Sequence, residues 1–91
     1  MKVTTFAAIE IASYEVSMKI FALSPKSMKE INYVRHRMEL GKDAYRTGRI
    51  SNDRLDELCD VLIDYKRIMK EFGVTEYRVS ATSVIRELEK R

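Results

Sequence analysis

Residues 6–23 constrain this chain more than any other stretch, because they hold two apolar runs joined by a short hinge, Glu10-Ile11-Ala12-Ser13-Tyr14-Glu15. Before the hinge, Val3, Thr5, Ala7, Ile9 and Ile11 alternate with Phe6 and Ala8. Both faces are largely apolar, the pattern of a strand covered on both sides. After the hinge, Val16, Met18, Ile20 and Ala22 fall on one face while Glu15, Ser17 and Lys19 fall on the other. That is a second strand with one more polar face. A strand that ends in a carboxylate, turns through small residues and a hydroxyl, and returns as a strand sets Glu10 beside exposed backbone N–H groups. Such a turn can hold a phosphate and its metal ion.

The rest of the chain reads as cover for this hairpin. Ser24-Pro25-Lys26-Ser27 is a turn, since proline removes a backbone donor and its neighbours are polar. A third strand is expected over residues 31–40, with Val34, His36, Met38 and Leu40 on one face and Tyr33, Arg35, Arg37 and Glu39 on the other. Its charged face suits a sheet edge. Residues 41–50 contain Gly41 and Gly48 and little periodicity, which predicts a loop. Ser51 then reads as an N-cap, with Asp53 near the positive helix end. Leu55, Leu58, Leu62, Tyr65, Ile68 and Phe72 recur at helical steps, widened by Val61 and Met69, and Gly73 ends the helix in a left-handed conformation. A crossover helix of this length joins parallel strands with right-handed sense. The fourth strand, Tyr77, Arg78, Val79, Ser80 and Ala81, therefore lies beside and parallel to the first. The expected fold is α/β: three antiparallel strands plus a parallel fourth in the order 3-2-1-4, one long helix, and a short C-terminal helix from Val84 that Thr82 and Ser83 cap.

Ninety-one residues suffice for one domain, although chains of this size bury only about 60% of their unfolded surface. The formal charge of +3 comes from 17 basic and 14 acidic residues mixed along the chain. This favours anionic partners weakly and does not demand nucleic acid. The most basic stretch, Arg35, Arg37, Lys42, Arg46 and Arg49, has no interleaved aromatic motif and reads first as a solvated edge. A single cysteine, Cys59, excludes an internal disulfide and reads as a packing residue. His36 has no second histidine or cysteine near it and reads as a strand-face side chain with a hydrogen bond. No apolar run approaches the roughly 20 residues of a membrane helix. The expectation is a reduced, cytoplasmic chain without a membrane segment.

The chemistry converges at one sheet edge. Ala12, Ser13 and Tyr14 stand at the C-terminal end of the first strand, and Thr82 and Ser83 at the C-terminal end of the adjacent parallel strand, where open α/β sheets bind ligands. Glu10 is a candidate magnesium ligand, the Ser13 hydroxyl and nearby N–H groups are candidate phosphate donors, and Arg86 is a candidate clamp. Each has a plainer reading. Glu10 is a strand-end carboxylate, solvated or paired with a lysine, Ser13 a turn residue, Thr82 and Ser83 helix caps, and Arg86 an exposed helix residue paired with a carboxylate.

Three groups of residues occur in a telling order. They are Ala8-Ile9-Glu10-Ile11-Ala12-Ser13 followed by Val16-Ser17-Met18-Lys19-Ile20; Leu40-Gly41 with Thr47-Gly48-Arg49-Ile50-Ser51; and Ala81-Thr82-Ser83-Val84-Ile85-Arg86-Glu87. In this order the chain resembles the N-terminal lobe of the Ppx/GppA exopolyphosphatase and guanosine-pentaphosphate phosphohydrolase family, within the actin-like, ribonuclease-H-like ATPase superfamily. The resemblance implies a half-domain of that fold and Mg²⁺-dependent hydrolysis of phosphoanhydrides, with polyphosphate or guanosine pentaphosphate as ligand. It gives Ser13 the place of the family's first phosphate-loop serine, and Arg86 that of the arginine after the Ala-Thr-Ser segment. It puts the catalytic glutamate and second phosphate loop beyond Arg91, so that residues 1–91 are expected to be an N-terminal lobe without turnover of its own, either a piece of a longer protein or a naturally shortened relative. Two positions depart from the family pattern. Glu10 stands where aspartate is usual, moving a metal ligand outward, and Ala12 stands where glycine is usual, adding a Cβ at a place of close approach or positive φ.

Two rival readings remain at this point: a non-catalytic scaffold that keeps the fold without the phosphate site, and a small basic nucleic-acid-binding module. Residues 77–81 also form an apolar edge, through which a homodimer is expected.

Overall fold

The computed structural model describes residues 3–82. Along it run β1 (Thr4–Ile11), β2 (Glu15–Ser24), β3 (Ser27–Arg37), α1 (Leu40–Thr47), α2 (Asn52–Glu71) and β4 (Glu76–Ala81). The strands form one sheet in the order β3-β2-β1-β4. β2 is antiparallel to both β1 and β3, and β4 is parallel to β1, as the crossover argument requires. The expected C-terminal helix, with Ser83 and Arg86, lies outside the described residues.

Register decides which apolar residues meet. Ala7 faces Ile20, Ile9 faces Met18 and Ile11 faces Val16 across β1 and β2. Strand alternation therefore gathers them on one face, where Ala7, Val16, Met18 and Ile20 are fully buried. α2 covers this face. Ser51 caps its start by accepting from the Arg54 N–H at 3.3 Å. It ends in a Schellman arrangement in which Gly73, at φ 67°, donates to the Lys70 carbonyl and Val74 to that of Met69. Val61, Tyr65 and Met69 are its buried residues. The sheet-facing line thus runs through 61, 65 and 69, while Leu55 and Phe72, both expected in the stripe, are exposed. Cys59 is exposed as well, not packed, because it sits on the far side of that line. The buried Tyr65 hydroxyl donates to the Val16 carbonyl at 2.6 Å and pins the helix to the start of β2.

Two departures from expectation lie after β2. The register shifts between Ile20, opposite Asn32, and Phe21, opposite Glu30, so Ile31 falls in a bulge and is 40% exposed. The strand that follows the sequence only from residue 31 in fact begins at Ser27 and ends at Arg37. Residues 41–50 are not a loop: Leu40, Ala44 and Gly48, four apart, bury one side of α1. The alternation of His36, Met38 and Leu40 mimicked a strand at the point where helical spacing takes over. Gly48, at φ 73°, closes α1 by donating to the Ala44 carbonyl.

Candidate phosphate site

The hinge between β1 and β2 is three residues, Ala12, Ser13 and Tyr14. Its backbone is closed by the Ala12 N–H, which donates to the Glu15 carbonyl at 2.9 Å. No non-glycine residue among those described has positive φ. Ala12 therefore sits in ordinary backbone, and the expected conformational need for glycine there does not arise.

What shapes the hinge is α1. The Gly41 N–H, in the first turn of that helix, donates to the Ser13 carbonyl at 2.6 Å, and the Met38 N–H to the Tyr14 carbonyl at 3.1 Å. A Cβ placed on Gly41 would stand 2.8 Å from Ser13 Cβ and 3.2 Å from the Ser13 oxygen, so only glycine lets the helix approach this closely. One turn on, the Tyr45 hydroxyl lies 2.9 Å from Ser13 Oγ. Gly41 and Tyr45 are the site residues that sequence reasoning missed. Their four-residue spacing was the available signal, hidden while the segment read as a loop.

β4 brings the other half. Its register pairs Glu10 with Ser80 and Ile11 with Ala81, so the strand ends beside the hinge. The Thr82 N–H donates to the Ile11 carbonyl at 3.0 Å, and the Thr82 hydroxyl reaches the same oxygen at 3.5 Å. Ala12, Ser13, Tyr14 and Thr82 are thus together at one sheet edge. Ser83 and Arg86 fall outside the described residues.

Glu10 points to the face opposite α2, where it is exposed and borders a hollow of about 260 Å³ with Glu15, Ser17, Lys19, Tyr33 and Ser80. Glu15 is engaged by Arg35 at 2.8 Å. Lys19 reaches Glu30 at 3.8 Å and lies 5.3 Å from the Tyr33 ring centre. Glu10 makes no ion pair among the described residues, and no trio of His, Cys, Asp or Glu there could hold a metal by itself. One free carboxylate suits a magnesium ion that arrives on phosphate oxygens and keeps much of its water; it does not make a metal site alone.

Away from this edge, His36 Nε2 lies 3.0 Å from Glu57 Oε2, the strand-face hydrogen bond expected of it, and Arg54 bonds the other carboxylate oxygen at 3.4 Å. The bond from His36, helped by Arg54 and opposed by desolvation, holds the Glu57 carboxyl below the ordinary glutamate value. Of the basic stretch, Arg35 is paired with Glu15 and Lys42 lies 3.7 Å from Glu39. No helix among the described residues is long and apolar enough to cross a membrane.

Residues 19–91 match the family model of the Ppx/GppA phosphatase family. The chain is also similar to solved structures. The Aquifex aeolicus member of the Ppx/GppA family is 30% identical over 98% of this chain, with a TM-score of 0.90. The type II variant of the Aquifex aeolicus Ppx/GppA phosphatase is 31% identical over 96% of it, with a TM-score of 0.87. An exopolyphosphatase from Cytophaga hutchinsonii shares the fold at 19% identity over 92% of this chain, with a TM-score of 0.86. This chain spans 29%, 29% and 27% of those three proteins respectively. A comparison with curated proteins finds no match. The sheet order, with β1 parallel to β4, agrees with the actin-like fold of the solved relatives. With a family model matched over most of its length, the chain belongs to the Ppx/GppA phosphatase family.

Proposed function

We propose that this chain is the N-terminal phosphate-binding lobe of a cytoplasmic hydrolase that releases terminal phosphate from polyphosphate or guanosine pentaphosphate. The observation that carries the reading is the meeting of the Ser13 hinge and Thr82 at the C-terminal edge of parallel strands β1 and β4. The Ser13 and Tyr14 N–H groups have no backbone acceptor among the described residues and donate to phosphate oxygens. The Ser13 and Tyr45 hydroxyls share a hydrogen bond, and with Tyr45 as its donor the serine proton is left for the same ligand. Thr82 stands beside the hinge on the β4 side, and the family resemblance assigns Ser83 and Arg86 to the same ligand. Glu10 is the residue that would hold a magnesium ion, which neutralises phosphate charge and polarises the anhydride when bound. The base that activates water belongs to the part of the protein beyond Arg91, so this lobe binds without turnover.

One observation favours a scaffold instead: the Ser13 and Thr82 hydroxyls already have partners in Tyr45 and Ile11. An NMR titration with Mg²⁺ and a short polyphosphate separates the two. The phosphate lobe gives saturable, Mg²⁺-dependent shifts at residues 10–15 and 82–86, weakened in Ser13→Ala. Silent amides there, or shifts spread over every basic patch and abolished by salt, leave the scaffold.

A further inference from the structure

Glu10 does not stand alone on its face of the sheet. Register sets Ser17 of β2 beside it on one side and Ser80 of β4 on the other. Partners on adjacent strands, roughly 4.8 Å apart, point to the same face. All three residues line the hollow of about 260 Å³. A carboxylate flanked by two hydroxyls therefore crosses β2, β1 and β4 in one row, an arrangement fixed by strand register. Neither serine hydroxyl has a hydrogen-bond partner among the described residues, and Glu10 has no ion pair there. The other charges of the hollow are engaged elsewhere: Glu15 by Arg35, and Lys19 by Glu30 and the Tyr33 ring. Arg78, in register with Ala8, stands a row farther from the hinge.

One carboxylate between two neutral oxygens suits a hydrated magnesium ion. Mg²⁺ dehydrates reluctantly, takes one or two carboxylates and keeps several waters. At about 30 Å³ per water, six waters need roughly 180 Å³, which the hollow offers. We propose that Ser17 and Ser80 are positioning residues for the magnesium ion on Glu10, each accepting a hydrogen bond from a water that the ion carries. Glutamate reaches farther from its strand than serine does, which leaves room above each hydroxyl for such a water. The row thus supplies the lateral support that a lone carboxylate lacks. Ca²⁺, which takes about six to eight oxygen ligands, finds too few here. This inference deepens the phosphate-lobe reading and rests on its assignment of Mg²⁺ to Glu10.

An NMR titration of the 91-residue chain with Mg²⁺ at fixed tripolyphosphate tests it, repeated with Mn²⁺, whose unpaired electrons broaden nearby amides. In the wild-type chain Mn²⁺ broadens the amides of Glu10, Ser17 and Ser80 first. Ser17→Ala and Ser80→Ala each raise the Mg²⁺ concentration at half-response about tenfold, the usual cost of losing an outer partner of a metal site. Ser17→Thr and Ser80→Thr keep the hydroxyl and the wild-type response. Ser17 is half-buried and Ser80 exposed, so these variants keep their fold. Shifts at Ser13 and Tyr14 with tripolyphosphate alone report the phosphate reading separately. If the hinge responds but the alanine variants leave the Mg²⁺ dependence unchanged, the proposal falls and the phosphate reading stands. Broadening that begins at Glu30 or at the acidic start of α2 overturns it likewise. A row that takes up Mn²⁺ beside a silent hinge sustains the serines and removes the phosphate reading, and silence at both overturns both.

Discussion

The two faces of β2 start from the same backbone and end in opposite roles. Val16, Met18 and Ile20 point beneath α2 and are fully buried. Glu15, Ser17 and Lys19, interleaved with them, point to the face that α2 leaves uncovered, where ion pairs with Arg35 and Glu30 are the main contacts. The lesson is a division of labour. Stability resides in one face, where apolar area leaves water, and the other is free to carry charge, including the Glu10 carboxylate. Phe6 and Ala8 read as residues of a strand covered on both sides, yet they are only partly buried.

The largest test of that contrast is truncation on each face. Met18→Ala costs about 2–5 kcal/mol of unfolding free energy, because the cavity it leaves cannot close. Lys19→Ala, whose ion pair is half exposed, changes it by about 1 kcal/mol or less. Denaturant unfolding of both variants measures the difference, and equal losses would erase the distinction between faces.

A smaller effect is expected where α1 meets the hinge. Gly41→Ala forces a Cβ to within 2.8 Å of Ser13 Cβ and destabilises by about 1–3 kcal/mol. Its signature is local: amide shifts at Ser13 and Tyr14 larger than those in β3. An unperturbed hinge would mean that α1 does not shape it.

The smallest effect sharpens the covered face. Tyr65→Phe removes the hydroxyl bond to Val16 and costs about 1 kcal/mol. Burial, aided by the charge on Glu15 and by Tyr33, pushes the Tyr65 hydroxyl from 10.0 up to about 12. The folded protein keeps that proton longer than the unfolded chain does. This contribution is complete below pH 10 and is lost as pH rises toward 12. Stability measured from pH 9 to 12 falls in the wild-type chain through this group, and less steeply in Tyr65→Phe.

Much of this was legible in the chain itself. Strand alternation, the Ser51 cap, the Gly73 stop and the crossover length led to the sheet order and to the hinge at its edge, because each is a local or topological rule acting on nearby residues. The motifs around Ser13 and Thr82 carried the family. α1 was illegible because Leu40 satisfied both a strand alternation and a helical spacing, and only Ala44 and Gly48 broke the tie. Tyr45 could not be tied to Ser13 before α1 was known to return to the hinge.

The sequence by itself determined the number and order of the strands, the long helix and the parallel return of β4, though not the bounds of β3, since periodicity, caps and the handedness of crossovers depend on short stretches of chain. Tertiary structure decided which helical line is buried, that Ala12 needs no left-handed backbone, and that Gly41 and Tyr45 frame Ser13. These depend on how closely elements distant in sequence approach one another, and packing at contact distance is a property of the assembled chain.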